Sequence, residues 1–364
     1  MKWSFKVAEI FGITIKVHVI FLLLLFLVGM STASVEGPRA GLVSMLFVAS
    51  VFLCVLLHEL GHSLQARRYG IKVEDITLLP IGGVAHMHEI PENPRKEIRI
   101  TLAGLVVSFG IAGLIFLFHL ATGRVSHLVG FSLAVTGERF LPSLFWVNVV
   151  LGFFNVIPAF PMDGGRVFRA LLAQRMDYVR ATHIAATVGQ GVAILFAVVG
   201  IFVWQNLWLI VIALFIFMGA GSEEHMVQMR SFLREVPARQ IMAMELYPLS
   251  PNDPLSRALE HVYRGCYSDF PVVDDGRLVG ILTRTKLLAA LHERGVDAKV
   301  SDVMDTSLEA VRPDEPVSQV HMKMLQSGVS AMPVVDEGRV VGMLSLENVG
   351  RFFMVSTALK KARE

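Results

Sequence analysis

The chain has 364 residues, 54% of them hydrophobic and only 18% charged, and its 33 Lys and Arg against 31 Asp and Glu leave a formal net charge of +2. A soluble protein of this length carries more charge, so the mean hydropathy of +0.58 points to a lipid environment. The near balance of charge, with no basic stripe, excludes nucleic acid as a partner.

Long apolar runs crowd residues 1–229, whereas 230–364 read as an ordinary soluble sequence. Six transmembrane helices, each near the roughly 20 residues that a bilayer requires, are predicted at about 12–31, 41–65, 98–120, 143–171, 183–203 and 206–222. Lys2, Lys6, the apolar stretch Val19 to Met30 and the small residues Ser31 to Ser34 mimic a signal peptide. Apolar character begins earlier, near Ile10, and no clean cleavage pattern follows, which favours a retained helix.

The second span carries the chemistry. Ala49 to Leu57 is wholly apolar apart from Ser50, and it leads directly into His58-Glu59-Leu60-Gly61-His62. An ionisable group in a span costs about 3 kcal/mol or more on insertion scales, so its presence implies a function. Two histidines at i and i+4 share one helical face and can converge on one ion, and a glutamate between them is the general base of zinc peptidases. The alternative is a buried structural histidine pair. Cys54 lies on the same face as His58 and reads as a small packed residue, with a stray zinc ligand as the alternative. Cys266 lies in the soluble half, so no disulfide between the two cysteines is expected.

Val73 to Met87 is too short to span as a helix. Its β-branched residues flank Pro80 and Gly82-Gly83, which predicts a hairpin or re-entrant loop beside the metal site; a surface loop is the alternative. His86 and His88 follow at alternate spacing, either as extra metal ligands or on a solvated loop.

The fourth span is interrupted by Asn155-Val156-Ile157-Pro158-Ala159-Phe160-Pro161-Met162-Asp163-Gly164-Gly165-Arg166. Its prolines remove backbone donors and its Gly pair permits a tight backbone. A catalytic zinc takes three protein ligands and keeps one position open. The best candidate for the third ligand is Asp163, brought to the histidines by an unwound stretch; a helix cap is its other reading. Positive charge sorts onto one set of flanks, with Arg67, Arg68, Arg95 and Arg166 among them, while the opposite loops offer only Arg39, Arg124 and Arg139. The positive-inside rule then puts both termini and the soluble half in the cytoplasm of a multi-pass plasma-membrane protein.

The soluble half repeats at an offset of 62 residues. Pro271 to Gly280 returns as Pro333 to Gly342, Pro251 and Pro254 return as Pro313 and Pro316, and Ile241-Met242 returns as Val303-Met304. Each copy predicts a strand, an Asp-Gly or Glu-Gly turn, a second strand and a helix.

The two separated motifs, the histidine pair with Glu59 in one span and Asn155 to Gly165 in a later one, resemble the site-2 proteases. The repeat resembles paired cystathionine-β-synthase (CBS) domains. Together the resemblances cover most of the chain and set out domains at 1–229, 236–295 and 298–356. They imply one zinc per chain on His58, His62 and Asp163, with Glu59 as the base and Asn155 on the substrate backbone or oxyanion. They also imply a membrane-embedded hairpin at Ile76 to Val84 that pairs with an extended substrate. The family often has Ala-Gly-Pro in the third span, where this chain has Ala103-Gly104-Leu105.

The implied function is intramembrane zinc endopeptidase, cleaving transmembrane segments of membrane-anchored proteins in the lipid bilayer. CBS pairs bind adenosine nucleotides through Gly-x-x-Thr/Ser-x-x-Asp, which points to Thr283 and Ser345. Lys286 and Asn348 replace both aspartates, so nucleotide binding stands beside a regulatory docking module or a homo-oligomer formed through the CBS domains. A CBS-gated metal-ion transporter and an inactive protease homologue are the rival readings; the first has no use for Glu59 beside a ligand.

Overall fold

The computed structural model describes residues 3–80, 82–87, 92–130, 139–264, 269–306 and 310–361. It divides into two compact units, Met1–His225 and Met226–Glu364.

The first unit is mostly helical. Helices α1 (Val19–Glu36) and α2 (Pro38–Arg68) form an antiparallel pair that turns on the single residue Gly37. Its φ of 93° suits glycine, and Pro38 opens α2 where a missing N–H costs nothing. Next come α3 (Pro94–Ala121), α4 (Phe140–Val156), the short α5 (Asp163–Leu172), α6 (Tyr178–Phe202) and α7 (Leu207–Arg234). Among the described residues five helices (α1, α2, α3, α6 and α7) are long and apolar enough to cross a membrane, and α4 is a shorter apolar helix of 17 residues.

Two expected spans differ from the structure. Residues 12–18, assigned to the first span, belong to a sheet: β1 (Ser4–Ile10) and β2 (Ile13–His18) form an antiparallel hairpin around Phe11-Gly12, both at positive φ. Ile13, Ile15 and Val17 alternate into the core while Thr14 and Lys16 face away, a period-two pattern that overrides apolar content. The fourth expected span, 143–171, is two helices. Ile157 to Met162 is unwound, because Pro158 and Pro161 deny the i to i−4 ladder two donors.

The strand β2 pairs in parallel with β3 (Val73–Leu79), and β3 pairs antiparallel with β4 (Gly82–Met87), giving the sheet order β1-β2-β3-β4. One face of this sheet packs on α2: Ile13, Ile15, Ile76 and Leu78 share a core with Phe52, Leu56 and Leu60. Arg67 also donates to the carbonyl of Phe11.

The second unit contains two matching hairpins, β5 (Asp269–Asp274) with β6 (Arg277–Thr283) and β7 (Ala331–Asp336) with β8 (Arg339–Ser345). Their turns place Asp275-Gly276 and Glu337-Gly338 at positive φ, as two-residue hairpins require. The helices α8 (Leu255–Tyr263), α9 (Arg284–Arg294), α10 (Val317–Ser327) and α11 (Leu346–Lys361) complete it. The cross-links between copies are reciprocal. Ala243 bridges Met343 as Asp305 bridges Ile281, and Pro237 bridges Pro316 as Lys299 bridges Pro254. The 62-residue repeat is therefore a pseudo-twofold in space, with one apolar core per copy.

Candidate metal centre

The histidine pair lies on α2, where the apolar run makes an uninterrupted helix and the i, i+4 spacing stacks the two rings on one face. His58 and His62 are both buried, with their Nε2 atoms 3.1 Å apart. Each ring has its other nitrogen engaged. His62 Nδ1 lies 2.8 Å from the Ile100 carbonyl, and His58 Nδ1 lies 2.9 Å from Ser108 Oγ. A carbonyl can only accept, so His62 Nδ1 carries a proton, and in the neutral ring Nε2 presents its lone pair. This is the arrangement by which outer groups fix the tautomer of a metal-binding histidine. Both outer groups sit on α3, one on each side of Gly104.

Asp163 arrives from the other direction. It is the first residue of α5, and Met162 occupies the N-cap position without a side-chain cap bond, so the carboxylate does not cap the helix. Its Oδ2 lies 3.2 Å from His58 Nε2 and 3.1 Å from His62 Nε2. The unwound stretch is held by close backbone approach. A Cβ on Gly164 would meet the Ile157 and Val156 carbonyls at 2.3 Å, and one on Gly165 would meet Ala159 and Phe160 backbone at 2.6 Å.

The three atoms make a triangle with edges of 3.1–3.2 Å, and among the described residues they form the only such group of His, Cys, Asp or Glu. A tetrahedral zinc with ligands at about 2.0–2.2 Å needs them roughly 3.3–3.6 Å apart. Two imidazole nitrogens and a carboxylate oxygen at this spacing are held together by shared protons or by a cation among them, and two nitrogens with one carboxylate oxygen is a donor set that fits zinc. Gly104 closes the triangle on the α3 side: a Cβ there would stand 2.2 Å from His62 Nε2 and 2.8 Å from His58 Nε2. Gly104→Ala is therefore expected to displace both rings and abolish stoichiometric zinc uptake while the helices remain. Zinc content alongside circular dichroism checks this, and wild-type zinc in Gly104→Ala would refute it.

Glu59 is partly buried next to the pair, and its stem lies against β4, where a Cβ on Gly83 would meet its Cγ at 2.7 Å. Asn155 sits in the last turn of α4 and donates to the Leu151 carbonyl at 3.0 Å. None of the described contacts joins it to the triangle. Cys54 is buried and free, and is not among the clustered donors. His86 bonds Asp75 at 2.8 Å on the sheet. His88 and Cys266 lie outside the described residues.

In the second unit Thr283 caps α9, its hydroxyl accepting from the Lys286 N–H at 3.4 Å. Lys286 reaches Asp305 at 2.8 Å. Ser345 and Asn348 hydrogen-bond each other, Ser345 Oγ donating to Asn348 Oδ1 at 2.6 Å. Both hydroxyls thus serve local helix starts, and the two residues at the usual aspartate positions are already partnered.

Sequence reasoning missed Gly104, Ser108 and the Ile100 carbonyl. The departure Ala103-Gly104-Leu105 was visible, but the role of a missing Cβ appears only when α3 is laid against α2.

Comparison with known proteins gives a consistent picture. Residues 46–199 match peptidase family M50, and residues 238–293 and 300–354 match the CBS domain. The chain is 34% identical over 352 residues to zinc metalloprotease MJ0392 of Methanocaldococcus jannaschii, covering 96% of each. It is 29% identical over 383 residues to Rip3 of Mycobacterium tuberculosis, covering 98% of this chain and 94% of that one. Among solved structures, a site-2 protease from Methanocaldococcus jannaschii matches at 37% identity over 61% of this chain and 95% of that one, with a TM-score of 0.44.

Proposed function

The chain belongs to peptidase family M50, the site-2 proteases, in a form that carries two CBS domains, and from that premise we propose that it is an intramembrane zinc endopeptidase acting on membrane-anchored proteins. The observation that carries the proposal is the convergence of two imidazole Nε2 atoms and the Asp163 carboxylate at 3.1–3.2 Å, with both Nδ1 atoms already engaged.

In this reading His58, His62 and Asp163 hold the ion. Bound zinc supplies Lewis acidity at the scissile carbonyl and at water. Glu59 takes a proton from the attacking water as its oxygen bonds the carbonyl carbon. It then passes that proton to the leaving nitrogen as the C–N bond breaks. Asn155 contributes by leaving the Leu151 carbonyl and donating to the oxyanion, a bond typically worth ~3–4 kcal/mol. The substrate must enter extended, since an intact helix hides its carbonyls in i to i−4 bonds. As an outer strand of the sheet among the described residues, with Gly83 against Glu59, β4 offers the sheet edge such a segment needs.

We also propose that α4 crosses the bilayer with the five longer helices, that the β3–β4 hairpin is membrane-associated, and that the termini and CBS pair are cytoplasmic. Arginine clustering on one set of flanks supports that orientation. The CBS pair is a regulatory or dimerisation module, since Lys286 and Asn348 are spent on Asp305 and Ser345 rather than offering the carboxylate that holds a ribose.

Full-length protein in lipid nanodiscs, incubated with a peptide containing a membrane-spanning segment, is expected to cleave it. Cleavage should stop with a zinc chelator and return on adding zinc. Chelator-insensitive cleavage, or metal transport into vesicles without cleavage, would overturn the proposal.

A further inference from the structure

Away from the triangle, the first unit buries a second set of charges. Arg169 on α5 is fully buried, as is Glu97 on α3. Arg169 Nε donates to Glu97 Oε1 at 3.0 Å, Nη2 reaches the same oxygen, and Nη1 donates to Glu223 of α7 at 2.6 Å. The guanidinium carbon stands 4.9 Å from the ring centres of both Phe160 and Tyr178. Removing ions from water costs several kcal/mol each, and a buried pair is often no more stabilising than apolar packing of the same volume. Burial of these charges is therefore weak evidence for a stabilising role, and the cluster is better read from its connections.

The helix α5 has only 10 residues. Helices below about 12–15 residues are marginal without tertiary support. Asp163 lies at its start and Arg169 six residues on, about 9 Å along the axis. Phe160, on which the guanidinium stacks, belongs to the unwound stretch that delivers Asp163. Glu97 lies three residues before Ile100, whose carbonyl fixes His62, on the helix that also carries Gly104 and Ser108. One guanidinium thus ties the aspartate helix to the helix that orients both histidines.

We propose that Arg169, through Glu97 and Glu223, is a positioning residue for the metal centre, setting the spacing between the Asp163 carboxylate and the two imidazoles; this rests on the zinc reading above. Its fork fits the work: two donors on one carboxylate and one on another fix a plane, which a lysine ammonium cannot do.

The test uses Co²⁺ as probe, titrated into full-length protein in nanodiscs and followed by its visible d–d absorption, which reports ligand geometry without turnover. Arg169→Lys is expected to weaken Co²⁺ binding roughly 10–100-fold, the range seen when outer groups of a metal site are lost, and to change the band intensity. Glu97→Gln should weaken it less and in the same direction. Its shape and single carbonyl acceptor keep it folded should Arg169→Lys fail to fold, and it then carries the test. Wild-type affinity and spectrum in both folded variants would overturn the positioning role and leave the zinc reading standing. Absence of Co²⁺ uptake by wild type, or undiminished uptake by Asp163→Ala, would instead overturn the zinc reading and this proposal with it.

Discussion

Glu59→Ala is expected to keep one zinc per chain and to lose proteolysis by roughly 10²–10⁴-fold, the range of a positioned general base. The two effects separate because Glu59 is one residue, about 100° of helix, from His58, and no bond that fixes the rings passes through it. His62 is oriented by Ile100 and His58 by Ser108, both on α3. The alanine opens space beside Gly83 and leaves the triangle of donors as it is. Zinc by mass spectrometry and cleavage of a membrane-spanning peptide, measured on one preparation, decide the matter. Full activity in Glu59→Ala would remove the residue from the reaction. Loss of zinc together with activity would make it a structural support instead. Glu59→Gln sharpens the comparison, since it preserves shape and burial and removes only the capacity to accept a proton.

The parts of this site that were legible in sequence are those whose signal is a side chain at local spacing. His58, Glu59 and His62 declare themselves within five consecutive helical positions. Asp163 was within reach because Pro158, Pro161 and the following Gly pair mark a break in an apolar span. The 62-residue repeat was legible for the same reason, as hairpin turns with Asp-Gly and Glu-Gly stand at matching positions. The strand β2 reads as part of a span because Ile13, Ile15 and Val17 merge into the apolar run of α1. Total hydrophobicity masked a period-two alternation that the buried positions make plain. Gly104 and the Ile100 carbonyl carry no side-chain signature at all. Arg169 looks in sequence like one more flanking cation, and only the meeting of α3, α5 and α7 shows that it is buried and bonded to two carboxylates from distant positions. Sequence spacing thus marks candidate ligands, while the groups that touch them come from elements far apart in the chain.

Asp163→Ala is expected to weaken zinc binding by more than the roughly 10–100-fold that losing an outer group costs. Two imidazoles from one helix remain, still oriented by Ser108 and Ile100, but the only anionic donor is gone. The consequence reaches beyond affinity. Asp163 is a buried carboxylate within 3.2 Å of both histidines. Without the ion the carboxylate has the two imidazoles for partners; with the ion it binds the cation directly. Zinc at 100 times its dissociation constant stabilises a folded protein by about 2.7 kcal/mol. Wild type should accordingly show a large zinc-dependent rise in melting temperature, and Asp163→Ala should show almost none. Asp163→Asn, which keeps shape and one oxygen donor but not the charge, should fall between them. Wild-type zinc content in Asp163→Ala would mean that the carboxylate approaches the histidines without sharing an ion, and the hydrolytic assignment would lose its third ligand. Equal zinc-induced shifts in wild type and Asp163→Ala would place the bound ion elsewhere in the chain.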